Sequence, residues 1–118
     1  MTDAWATVGP GTPWYLLVES QGHSAPQEAG FRRDALAQAE AGRPVLMFLV
    51  QDGVALALPG SDATLDDFQR AGGRLVADDF SLTQRGLDGR ALRPTVRVTG
   101  MGEMAEWMLD PDVKVVWH

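Results

Sequence analysis

Seven polar side chains in this 118-residue sequence stand where acid, base or anion chemistry is possible: His23, Gln51, Asp52, Asp78, Asp79, Arg85 and His118. The sharpest feature is the adjacent pair Asp78 and Asp79, which closes the short apolar run Arg74 to Ala77 and precedes Phe80 to Gln84. Two carboxylates held close together push one pKa upward and make a general acid/base pair. Successive residues of a strand face opposite sides, however, and an Asp ahead of a helical turn is also a natural N-cap whose carboxylate accepts backbone N–H groups. Both readings stay open, and capping is the simpler because it requires no further partner. Arg85 precedes Gly86, a residue suited to the left-handed turn that ends a helix, and either binds an anion or, more simply, pairs with Asp78 or Asp52. His23 and His118 have no second His or Cys at ligand spacing, and a site built from His23, Asp78 and His118 would draw on three separate segments. No metal and no cofactor are expected.

Strands and helices must bring these groups together. Trp14 to Glu19 and Pro44 to Val50 are continuous apolar runs of strand length, as in strands covered on both faces, and the first reads as the central strand. Between them Gln27 to Ala41 reads as a helix with Phe31, Ala35, Leu36 and Ala39 on one face, stopped by Gly42 and Pro44. Strand, helix, strand is the pattern of a right-handed parallel βαβ unit. Val54 to Leu58 reads as a helical turn, and Thr64 with Asp67 has capping-box spacing for a helix to Ala71. Arg74 to Ala77 is the third strand. Val96 and Val98 alternate like a strand, limited to an edge by Pro94. Met101, Met104, Ala105, Met108 and Leu109 give a helical apolar stripe, read as core packing, with Trp107 off it as an interface candidate. Asp112 to His118 is the last strand. The alternation predicts an α/β, flavodoxin-like three-layer sandwich with a mostly parallel sheet. Its strand ends would place the seven polar groups along one edge.

Composition narrows the function classes. Ten basic against 16 acidic residues give a net charge of −6 with no basic stripe, so nucleic-acid binding is not expected. Cysteine is absent, which removes disulfides and thiolate chemistry. No charged leader precedes an apolar run, and no apolar run approaches the roughly 20 residues of a membrane helix, so a cytoplasmic, membrane-free protein is expected. One domain is expected from residue 14 to 118, preceded by a mobile arm over residues 1–13 in which Trp5 is the large apolar group.

The order Val76-Ala77-Asp78-Asp79, then Gln84-Arg85-Gly86-Leu87, resembles the strand-to-helix turn of the DsrE/TusD-like (DsrE/DsrF/TusC) sulfur-relay proteins. Gln51-Asp52-Gly53-Val54 and Gly102-Glu103-Met104-Ala105-Glu106 extend the resemblance, which spans about Trp14 to His118. Catalytic members of that family carry a persulfide-forming cysteine shortly before the Arg-Gly pair, and by that spacing it falls on Asp78. A carboxylate forms no persulfide. The resemblance therefore implies a non-catalytic subunit that pairs with DsrE-family subunits or sulfur-carrier proteins in trimers or hexamers. The alternative is a small-molecule-binding protein or acid/base enzyme using Asp78, Asp79, His23 and Arg85.

Overall fold

Three apolar runs set the sheet. The strands β1 (Tyr15–Glu19), β2 (Val45–Leu49) and β3 (Arg74–Asp78) are buried along nearly their whole length, which requires cover on both faces. The computed structural model describes residues 13–22 and 29–118; the arm up to residue 12, with Trp5, and the loop residue His23 lie outside the described residues. Two shorter strands, β4 (Arg97–Thr99) and β5 (Lys114–Trp117), complete a sheet of order β4-β3-β2-β1-β5 in which every neighbouring pair is parallel. The α/β sandwich expected from the alternation of elements is present. Its middle strand is β2, and β1, expected there, lies between β2 and β5. Both runs are covered on both faces, and the position of β5 decides which of them is the middle strand.

Side chains alternate between two faces of the sheet. On the front face Leu17, Met47, Leu49, Leu75 and Ala77 pack beneath α1 (Ala29–Glu40), the 3-10 helix Gln51–Ala57, α2 (Ala63–Arg70) and α3 (Asp79–Gln84). On the back face Leu16, Val18, Leu46, Phe48 and Val76 meet α4 (Met101–Met108). Connectivity explains the division. The right-handed crossovers from β1 through β4 all step in one direction and lay their helices on one face, whereas the return from β4 to β5 lays α4 on the other. Phe68 in front and Phe48 behind are fully buried, and truncating either would cost about 3–5 kcal/mol.

Two helices depart from the spacing read in the sequence. The capping box expected from Thr64 and Asp67 is not what starts α2: Asp62 is the N-cap, accepting from Leu65 N at 2.9 Å. The Asp62 carboxylate also accepts from Arg32 Nη1 at 3.2 Å, a contact across 30 residues that no local spacing reveals. In α4 only Met104 of the expected stripe is fully buried; Met101 is exposed and Leu109 is 84% exposed. Trp107, expected to stand off the stripe, is partly buried and packs on the back-face core beside Met108. Lying alone on its face, α4 makes a narrow contact line through Met104, Trp107 and Met108, and both ends of the wider stripe stay in water.

The segment before β4 is held by a buried arginine. Arg93 donates from Nε to the Leu56 carbonyl at 2.7 Å and from Nη2 to the Asp62 carbonyl at 2.9 Å, and it pairs with Asp66. These bonds tie the edge strand's lead-in to the front layer. Among the described residues no helix is long and apolar enough to cross a membrane.

Candidate functional site

β3 runs into α3 on the front face, while its neighbour β4 runs into α4 on the back. Chains that diverge from adjacent parallel strands leave a crevice outside their carboxyl ends, the place where open α/β sheets take ligands. Asp78 and Asp79 stand on one side of this crevice and Gly100 on the other.

Asp78 ends β3 and caps α3. Its Oδ2 accepts from Ser81 N at 3.0 Å and from Ser81 Oγ at 2.6 Å. Ser81 Oγ in turn accepts from Gln51 N at 2.8 Å, so a chain of hydrogen bonds joins the end of β2 to the carboxylate that starts α3. Gln51 contributes its backbone to this chain and leaves its side chain exposed. Asp78 is buried with both bonds directed inward. That geometry performs the capping role, worth about 0.5–2 kcal/mol.

Asp79 faces elsewhere. It is exposed, accepts from its neighbour Phe80 N at 2.6 Å, and a Cβ placed on Gly100 would lie 3.7 Å from its Oδ1. It also lines a cavity of about 230 Å³ shared with Thr83, Asp88, Arg90 and Val98. The two adjacent aspartates do not share a site, as strand alternation allowed. Arg85 pairs with Asp52 at 3.0 Å on the protein surface, the bland alternative to anion binding. It is followed by Gly86 at φ +67, and Leu87 N donates to the Leu82 carbonyl at 2.9 Å, the left-handed close that a Cβ would strain.

A second polar cluster lies at the carboxyl ends of β1 and β5. Glu19 is fully buried, and both of its oxygens lie within 3.0 Å of His118 Nδ1. Gln21 N donates to Oε1 at 2.9 Å, and Arg32 Nη2 stands 3.8 Å away. Arg32 is itself buried and donates to the Gln21 and Gly22 carbonyls at 3.1 and 2.6 Å. The Phe31 ring stacks on the His118 imidazole with centroids 4.6 Å apart. Burial pushes the Glu19 carboxyl above its ordinary value, and His118, the Gln21 N–H and Arg32 offset only part of that rise. With Glu19 ionised, His118 Nδ1 carries the proton it donates.

The carboxyl edge thus holds two separate groups. Asp78 and Gln51 meet through Ser81, and Asp52 meets Arg85 nearby, whereas His118 belongs to the Glu19 cluster and His23 lies outside the described residues. Among the described residues no three His, Cys, Asp or Glu side chains gather as metal ligands. Glu19 and Arg32 escaped the sequence reading. A signal existed for both: Glu19 is the one acid in a run covered on both faces, and Arg32 lies at helical spacing from Ala35 and Ala39 on the buried face of α1.

No protein-family model and no curated protein matches the sequence. A solved structure does match: the crystal structure of the YchN protein from E. coli superposes with a TM-score of 0.77 at 19% identity, covering 91% of this chain and 100% of that one. The fold is DsrE-like. At that identity the likeness carries the backbone architecture alone.

Proposed function

We propose that this chain is a non-catalytic DsrE-like subunit of a cytoplasmic sulfur-relay system, binding a cysteine-bearing partner at the crevice beyond β3 and β4. The observation that carries the reading is a contrast at that crevice. The Asp78 carboxylate is buried and satisfied, while three large apolar side chains beside it stand in water: Phe80 at 65% exposure, Val98 and Met101. Each lies within two residues of Asp79 or Gly100. Scattered apolar residues on a surface need no explanation, but three at or just beyond the carboxyl ends of two adjacent strands support a docking surface. Asp78 holds α3 in place, Asp79 presents a charge at the mouth, and the partner supplies the thiol. The partner is a DsrE-family subunit or a sulfur carrier, joined in a trimer or hexamer.

The test is affinity capture of the tagged protein from its source cells, followed by native mass spectrometry of the intact complex. A cysteine-bearing DsrE-like protein or sulfur carrier in fixed ratio is the expected result. Capture of no such protein under conditions that preserve known complexes would overturn the reading.

One observation favours a second reading, in which a small molecule occupies the cavity beside Asp79. Asp79, Asp88 and Arg90 place charges of both signs on a wall otherwise lined mainly by Leu82, Leu87, Leu92 and Val98, as in small-ligand sites. In this reading Asp79→Asn weakens binding of the ligand found by thermal-shift screening, and Asp78→Asn does not.

A further inference from the structure

The two edges of the sheet are built differently. β4 has three residues, follows Pro94, and carries an Arg97–Glu103 ion pair at 2.8 Å, devices that blunt an edge against pairing. β5 is one residue longer, likewise follows a proline, Pro111, and differs in the apolar surface it exposes. Its one charge is Lys114, Val116 is exposed on the front face, and on the back face Trp117 is 59% exposed with Trp14 beside the strand at 57%.

The backbone of β5 is also open outward. Lys114 N donates to the Trp14 carbonyl at 2.9 Å and His118 N to the Val18 carbonyl at 2.8 Å, so the even-numbered residues bond to β1. By alternation the N–H and C=O of Val115 and Trp117, and the C=O of Val113, point away from the sheet; the Val113 N–H is taken by the Asp110 carbonyl at 3.1 Å. Among the described residues no strand lies on that side.

We infer that β5 is a self-association edge, where two copies of this chain pair antiparallel about a two-fold axis normal to the sheet and form one continuous sheet. Such an axis places residues of the same face opposite one another. Two registers align the outward groups, and side chains choose between them. Centring on Val116 sets Lys114 against His118 of the other copy, two basic groups. Centring on Val115 sets Lys114 against the exposed Val116, and Trp117 against Val113. In that register each Val115 N–H reaches the other Val115 carbonyl, and each Trp117 N–H reaches the other copy's Val113 carbonyl.

One operation then accounts for every exposed apolar group along the edge. Trp14 is the β1 neighbour of Val113, so Trp14 and the other copy's Trp117 flank Val113 on the back face. On the front face Val116 lines a cavity of about 190 Å³ with Tyr15, Phe31 and Asp34. Lys114 of the other copy lies beside Val116 in this register, and Asp34 is the acidic group of that cavity, so the edge's one cation meets an opposite charge. The inference stands apart from the relay reading, because β5 and the crevice lie at opposite edges of the sheet.

Sedimentation equilibrium of the full-length wild type, Val115→Pro and Trp117→Lys tests it. Val115→Pro deletes an outward N–H and leaves the bonds to β1 intact, as Pro is tolerated on an edge facing water. The wild type is expected to be dimeric at micromolar concentration, with each substitution weakening dimerisation by about tenfold or more while the circular dichroism spectrum is kept. If Val115→Pro fails to fold, the exposed Trp117→Lys decides. A monomeric wild type, including one that assembles only with a different protein, overturns the inference. So does an oligomer that both variants leave intact.

Discussion

Glu19 and Asp78 occupy equivalent places, each the last residue of a buried parallel strand, and the fold uses them in opposite ways. Asp78 is satisfied by Ser81, three residues ahead, and its carboxylate starts a helix. Glu19 is satisfied by His118, 99 residues away, and by Arg32 from α1, and its carboxylate ties together three elements that are remote in sequence. The local arrangement spends its charge on backbone N–H groups. The long-range one keeps an acid in an apolar setting, where desolvation outweighs its partners and raises its pKa. Position at the end of a strand therefore does not assign a role to a carboxylate; the range of its contacts does.

The strongest way to break this comparison is to remove the centre of the long-range cluster. Arg32→Met leaves Glu19, Asp62 and the part-buried Gln21 and Gly22 carbonyls short of a donor, and a loss of about 3–5 kcal/mol is expected in urea unfolding. A loss below about 1 kcal/mol would show that the cluster is not structurally coupled. Asp78→Ala is expected to cost less, about 1–2 kcal/mol, because it removes one cap; Asp78→Asn keeps an acceptor and recovers most of it. Equal losses for the two substitutions would contradict the capping role.

Glu19→Gln sharpens the comparison through pH. Because the folded-state pKa lies above the ordinary 4.5, the folded protein holds this proton more firmly than the unfolded chain does. The stabilising contribution of Glu19 is therefore complete below about 4.5 and is lost as pH rises through the folded-state pKa. Wild-type stability relative to Glu19→Gln should fall as pH rises through that interval, read from unfolding curves at stepped pH. Parallel profiles would contradict the raised pKa. The smallest effect is expected at Arg85→Ala: the Asp52 pair is exposed, and its loss should change stability by about 0–1 kcal/mol.

How much of this was legible in the sequence follows the same division by range. A cap from the Asp78–Asp79 pair, the left-handed close at Gly86 and the apolar strands are set by neighbours within a few residues, and local spacing offered each of them, leaving the structure to assign the cap to Asp78. The pairings of Asp62 with Arg32 and of Glu19 with His118 depend on contacts across 30 to 99 residues, which no window contains. The start of α2 at Asp62 is instead a local cap, three residues from Leu65, that the Thr64–Asp67 spacing obscured. The α4 stripe was half legible: periodicity found the helix, but the breadth of its buried face depends on α4 lying alone on the back of the sheet. The crevice was legible as a location, through topology and the Asp pair. The exposed Phe80, Val98 and Met101 around it were not, since an apolar side chain in a short element reads as core until the packing is known.

The measurement that tests the central claim most directly is capture of the tagged protein in three forms, wild type, Asp79→Arg and Glu19→Gln, with the partner quantified by native mass spectrometry. The expected result is a cysteine-bearing DsrE-like partner bound in fixed ratio to the wild type and to Glu19→Gln and lost from Asp79→Arg, whose charge reverses the mouth of the crevice. Full retention by Asp79→Arg, or loss confined to Glu19→Gln, would contradict the assignment of partner binding to the edge beyond β3 and β4.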